Sequence, residues 1–152
     1  SLIGLTAFSE CKSLRSISIP KTVDSIDEMA FYRCSSLSSI IIPNNLNYIG
    51  SGAFRECSGL TSITLGSNVN FIGALAFLGC KKLSDVYCYA EKVPETQDKV
   101  FLDTNIENIT LHVPAASVSA YQAAEPWKNF KEIVALSDQG SDTNNSDYIP
   151  LS

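Results

Sequence analysis

The chain has 152 residues, 45% of them hydrophobic and 18% charged, which is enough to bury one core and too apolar for a disordered chain. Its net charge of −5 and pI near 4.7 speak against a nucleic-acid groove or an anionic membrane surface as partner, since both require clustered Lys and Arg. No apolar run approaches the roughly 18 residues of a membrane span, and Ser1-Leu2-Ile3-Gly4 has neither the basic start nor the apolar core of a signal peptide.

In chain order, the first feature is a pattern, A-F-x-x-C-x-x-L-x-x-I-x-I-P, complete from Ala30 to Pro43. Most of it also starts at Ala7, Ala53 and Ala76, with neighbouring starts 23 residues apart. A fixed short period is the signature of a solenoid. At this period the apolar residues fall into columns: Ile3, Ile26, Ile49, Ile72; Phe8, Phe31, Phe54, Phe77; Cys11, Cys34, Cys57, Cys80; Leu14, Leu37, Leu60, Leu83. Because Ile3 is in phase with Ile26, the chain begins inside a repeat unit and is expected to be a piece of a longer protein.

Residues 16–19 alternate polar and apolar and contain β-branched side chains, so they read as a short strand, with copies at 39–42, 62–65 and 85–88. In-phase copies must pair in parallel, about 4.8 Å apart. Pro20 and Pro43 end the strand where no ladder N–H is needed. The Ala-Phe segment makes a tight turn, with Phe filling the space between rungs. Paired helices fit poorly, because helical repeats run to about 33 residues or more.

Position by position, Ile42-Pro43, Leu46, Ile49-Gly50, Ala53-Phe54, Cys57, Leu60 and Ile63 match a known unit. The chain resembles the BspA-like, or Treponema-type, bacterial leucine-rich repeats over residues 1 to about 90, with Leu46 in place of Val and Asp27 departing from the Gly. The fold expected is a right-handed leucine-rich-repeat solenoid, mostly β, with short parallel strands, about five rungs and a C-terminal helix and strand cap.

Beyond Tyr89 the period falters. Residues 90–99 are polar and read as an irregular loop. Phe101 comes one residue late, and Ile106, Ile109 and Leu111 return to phase, which predicts a degenerate rung with a strand over 108–113, a stop at Pro114, and no further parallel strand after it. The Ala-rich stretch 115–125 follows a Pro and predicts a short helix starting near Ala115 or Ser117. Trp127 and Phe130 are suited to cover the apolar end of the last rung. The string from Val113 to Phe130 is similar to the closing segment of Bacteroidetes members of the family. The organisation expected is repeats over 1–114, a cap over 115–136 and a flexible tail or linker over 137–152, in which Tyr148, Ile149, Pro150 and Leu151 either dock or open a further module.

Chemistry is sparse. Four of the five cysteines lie at the repeat period, and the readings are disulfides, a metal site, a nucleophile or a buried stack. Parallel Cα–Cβ vectors on adjacent rungs oppose the disulfide torsion, a linear ladder lacks the converging ligands zinc needs, and the buried stack is preferred. His112 is the single histidine; in-phase counting places Leu111 beside Cys88 and turns His112 to the opposite, exposed face, with no Ser or Asp in a triad motif. Asp24, Asp27 and Glu28 do not recur one period later and read as a solvated turn. No phosphate-loop glycine motif occurs. Asn108-Ile109-Thr110 and Asn144-Asn145-Ser146 match the glycosylation sequon, which means little in a bacterial protein.

The remaining candidates lie between the core columns. A concave strand face is predicted to present Ser39, Ser62, Asp85 and Asn108 in one column and Ile41, Thr64, Tyr87 and Thr110 in the next, flanked by Tyr89 and His112. Tyrosine is a common binding anchor. The chain therefore reads as non-enzymatic, needing no cofactor or metal, and binding a protein or glycan ligand. The resemblance implies an adhesion-type role at the cell surface or outside the cell, with host extracellular matrix among the partners. The alternative is a structural spacer or an accessory domain of a larger surface protein.

Overall fold

The computed structural model describes residues 1–136, and the stretch read as a tail, 137–152, lies outside them. The repeat units build two parallel sheets, the first unit contributing to one of them and the next four to both. One sheet is built from two-residue strands, β1 (Leu2–Ile3), β2 (Ser25–Ile26), β4 (Tyr48–Ile49), β6 (Phe71–Ile72) and β8 (Glu95–Thr96). The other holds the longer strands β3 (Ser39–Ile41), β5 (Ser62–Leu65), β7 (Asp85–Cys88), β9 (Thr110–Val113) and β10 (Glu132–Ala135). Among the described residues one α-helix, α1 (Val118–Gln122), follows β9, and the fold is a mostly-β solenoid.

The Ala-Phe turn between the short and long strands carries a third ladder of backbone hydrogen bonds. Phe8 N–H donates to the Ala30 carbonyl at 2.7 Å, Phe31 to Ala53 at 2.8 Å, Phe54 to Ala76 at 2.8 Å and Phe77 to Val100 at 3.0 Å. Left-handed residues bracket this turn in every rung: Met29, Gly52, Leu75 and Lys99 before it, and Arg33, Glu56, Gly79 and Asp103 after it. A non-glycine residue there costs roughly 1–2 kcal/mol, which the inter-rung bonds and the packing behind the turn offset.

That packing is a column of stacked rings. Phe8, Phe31, Phe54, Phe77 and Phe101 follow one another at centroid separations of 5.2, 5.1, 5.5 and 5.6 Å. The cysteines form a parallel column in which each thiol donates to the carbonyl of the phenylalanine one rung back: Cys34 to Phe8 at 3.1 Å, Cys57 to Phe31 at 3.1 Å and Cys80 to Phe54 at 3.2 Å. A thiol at this place satisfies a buried carbonyl while filling apolar space. All five cysteines are free.

Several sequence expectations need correction. Residues 16–19 form no strand, because this rung stands at the open end of the ladder, where Phe8, Cys11, Leu14 and Ile17 are only half-buried. The polar stretch 90–99 is not wholly irregular, since β8 extends the short-strand sheet by pairing Thr96 with Ile72. The strand read over 108–113 begins at Thr110; Ile106–Asn108 form a 3-10 turn that absorbs two extra residues and moves the register. Thr110 therefore lies opposite Asp85, Leu111 opposite Val86 and not Cys88, and His112 opposite Tyr87. Nor is β9 the last strand, because β10 pairs with it in parallel, Glu132 with Thr110 through Ala135 with Val113.

The helix is shorter than the Ala-rich stretch, a 3-10 turn over Ala115–Ser117 leading into α1. Its Tyr121 is fully buried, its hydroxyl donating to the Ala90 carbonyl at 2.7 Å and lying 3.3 Å from the Cys88 sulfur. Ser117 donates to the Glu91 carbonyl at 2.7 Å. Trp127, fully buried, and Phe130, nearly so, meet the last ring of the phenylalanine column edge-on, at 5.8 and 5.1 Å from Phe101.

Candidate binding face

In the long-strand sheet, alternation sends Ile40, Ile63, Val86 and Leu111 into the core and their neighbours outward. The outward residues align in two columns. The first runs Ser39, Ser62, Asp85, Thr110, Glu132, and the second Ile41, Thr64, Tyr87, His112, Val134. Ser39 and Ile41 are exposed, and Ser62, Thr64, Asp85, Tyr87, Tyr89, Thr110 and His112 are half-buried. Asn108 is exposed but sits in the 3-10 turn before β9, outside both columns.

The two-residue shift in register brings together three side chains that in-phase counting separates. The His112 ring stacks on Tyr87, with centroids 4.2 Å apart and planes 17° from parallel. His112 Nε2 lies 2.9 Å from Asp85 Oδ1, a contact that becomes an ion pair when the imidazole is protonated. Asp85 Oδ2 accepts a hydrogen bond from the Ser84 hydroxyl at 3.1 Å. Burial pushes the Tyr87 phenol above its ordinary range, with the Asp85 charge adding to it. Tyr89 is raised by burial and then by Tyr87, so both phenols are protonated at neutral pH and can donate as well as accept.

The cysteine column has a different character. Burial raises the thiols of Cys34, Cys57, Cys80 and Cys88, that of Cys80 to about 12, which keeps them protonated and poor nucleophiles. Among the described residues His112 hydrogen-bonds to Asp85 and to no hydroxyl or thiol.

Glu132 and Val134 extend the face beyond the residues read from sequence. The signal was a spacing of 22 from Thr110 and His112, hidden by the apolar load of the same segment, which read as cap alone. A second aromatic feature stands on the short-strand sheet, where Tyr48 stacks on Phe71 with centroids 5.1 Å apart. Its in-register position was legible in the sequence, but strands of two residues give no alternation by which to see them.

Parallel strands at a fixed period, stacked phenylalanines between the two sheets and a polar outer face define a leucine-rich-repeat solenoid. A family model described as BspA type leucine rich repeat region matches residues 1–123 in 6 copies. The chain belongs to that family. Two solved structures share the fold. A leucine-rich repeat protein from Bacteroides ovatus ATCC 8483 is 20% identical with a TM-score of 0.65, over 89% of this chain and 34% of that one. A leucine rich cell surface protein from Faecalibacterium prausnitzii A2-165 is 24% identical with a TM-score of 0.58, over 81% of this chain and 32% of that one. The chain thus spans about a third of either protein, and at these identities the likeness is one of fold. No curated protein matches. Family and fold support a protein-interaction or structural module. No helix among the described residues is long and apolar enough to cross a membrane.

Proposed function

We propose that the chain is a non-enzymatic binding module that engages a protein or glycan ligand through the outward face of the long-strand sheet, centred on Tyr87. The observation that carries this reading is the cluster of Tyr87, His112 and Asp85, a stacked aromatic pair with a hydrogen-bonded carboxylate, on a half-exposed sheet face. Buried aromatics alone would serve the fold; a half-exposed pair flanked by Tyr89 offers contact area with few rotatable bonds. Around it stand the hydroxyls of Ser39, Ser62, Thr64 and Thr110 and the exposed apolar Ile41. Asn108 belongs to the margin of this face through its exposed turn.

Localisation at the cell surface or outside the cell, and an adhesion-type role toward host matrix, form part of the same proposal. They rest on family membership and on the surface protein of Faecalibacterium prausnitzii that shares the fold. Residues 1–114 act as the ladder in this reading and 115–136 as its closing cap, supported by the burial of Tyr121, Trp127 and Phe130 against the last rung. The test is a screen of the chain against host matrix proteins and surface glycans, with the Tyr87→Ala/Tyr89→Ala double variant beside it. A ligand bound by the parent chain and lost by the variant is the expected result. Equal binding by both would place the site away from Tyr87 and Tyr89, and binding by neither would leave the spacer.

A further inference from the structure

The outward column that runs Ile41, Thr64, Tyr87, His112 has a step in it. One side of the Tyr87 ring is stacked on His112, and among the described residues no second ring stacks on the other. Along the ladder on that free side the register partner is Thr64, whose side chain is too short to cover a phenol. One strand further stands Ile41, 63% exposed. Neighbouring strands lie about 4.8 Å apart, so two spacings separate Ile41 from Tyr87 and leave a slot one planar group thick above Thr64.

Charge narrows what fits. Asp85, on the same strand as Tyr87, is the carboxylate nearest the slot, and among the described residues the outward strand positions hold no lysine or arginine, on a chain of net charge −5. A guanidinium is planar, cationic and weakly hydrated, and it stacks on aromatic faces. The chain already makes this contact elsewhere, with the Arg33 guanidinium 5.2 Å from the centre of the Tyr32 ring. An ammonium lacks the flat shape, and an uncharged sugar ring can hydrogen-bond the carboxylate but gains no charge attraction from it.

We infer that the slot above Thr64 receives an arginine side chain of a protein ligand, its guanidinium stacked on the free face of Tyr87 and attracted by Asp85 on the same strand. This rests on the reading that the face binds a ligand, and it names the ligand's anchoring group.

The test is an NMR titration of the chain with N-acetyl-arginine amide. Saturable shifts of the Thr64 methyl and the Tyr87 ring are expected, weakened near 1 M salt, where the Debye length is about 3 Å. N-acetyl-lysine amide is expected to bind about tenfold more weakly, for want of a planar group to stack. The variant Thr64→Tyr fills the slot with a ring of its own and is expected to abolish the arginine shifts with the fold intact. Unchanged arginine shifts in that variant overturn the inference, as do shifts produced by a methyl hexoside and not by arginine, which would make the face a glycan site. If Thr64→Tyr keeps a macromolecular ligand that the Tyr87/Tyr89 double variant loses, the arginine slot falls and the binding face stands.

Discussion

Each thiol of the cysteine column from Cys34 to Cys80 bonds the carbonyl of a phenylalanine in the rung before it, and this explains why a polarisable, weakly donating residue recurs there. Cys11 is half-exposed at the open end, whereas Cys34, Cys57, Cys80 and Cys88 are fully buried. A thiol reagent is therefore expected to modify one cysteine quickly and four only on unfolding; fast reaction of several would contradict the burial. The same burial makes stability depend on alkali. The Cys80 thiol is raised from 9.0 to about 12 in the folded chain, so the folded state holds a proton that the unfolded state releases. Its contribution is complete below about pH 9 and fades as pH rises toward 12. Thermal unfolding of Cys80→Ala is expected to fall less steeply over that range than that of the parent chain. At this scale the buried stack was legible from spacing alone, but the sulfur-to-carbonyl bonds were not, because they depend on where the turn aims its carbonyls. His112 was misplaced by two positions because the 3-10 turn at Ile106–Asn108 leaves no mark on the hydrophobic pattern.

Elements pack here with little tolerance between rungs. A Cβ added at Gly73 would lie 2.5 Å from the Ser51 nitrogen and 2.8 Å from the Gly50 carbonyl carbon, backbone atoms that cannot step aside. At Gly4, in the same column, it would meet nothing within 4 Å. Gly73→Ala is expected to cost about 1–3 kcal/mol as overpacking, and Gly4→Ala less than about 0.5 kcal/mol as a surface change. Chemical denaturation of the two variants checks this, and equal costs would show that the rungs yield. The closing segment makes a second case. Trp127 touches Tyr121, Phe101 and Phe130 and is fully buried, so Trp127→Ala is expected to destabilise by about 3–5 kcal/mol. A loss under about 0.5 kcal/mol, the size of a surface effect, would remove its role as a cap. The apolar load of this segment was plain in the sequence. That it also supplies β10 was not, because Ile133 and Val134 are adjacent and blur the alternation that elsewhere marks a strand.

At the scale of the whole molecule, the fixed period made the architecture readable: one unit cannot bury its apolar residues alone, and in-phase units stack to do so. The period does not reveal how many sheets the coil makes, since two-residue strands such as Tyr48–Ile49 are too short to show a face. Nor does it reveal the binding chemistry proposed for the variable positions between the columns. Those positions change along the ladder from mostly hydroxyl-bearing to aromatic and charged, reaching Tyr87 and Asp85 two strands, and His112 one strand, from the closed end. The short-strand sheet carries its own stacked pair, Tyr48 and Phe71, and so provides a built-in control face. The most direct measurement is the affinity for a ligand found by screening, compared between the parent chain, Tyr87→Ala and Tyr48→Ala. A loss of about tenfold or more in Tyr87→Ala, as for a binding anchor, with Tyr48→Ala unchanged, is the result expected. Equal affinity of Tyr87→Ala and the parent chain would contradict the account.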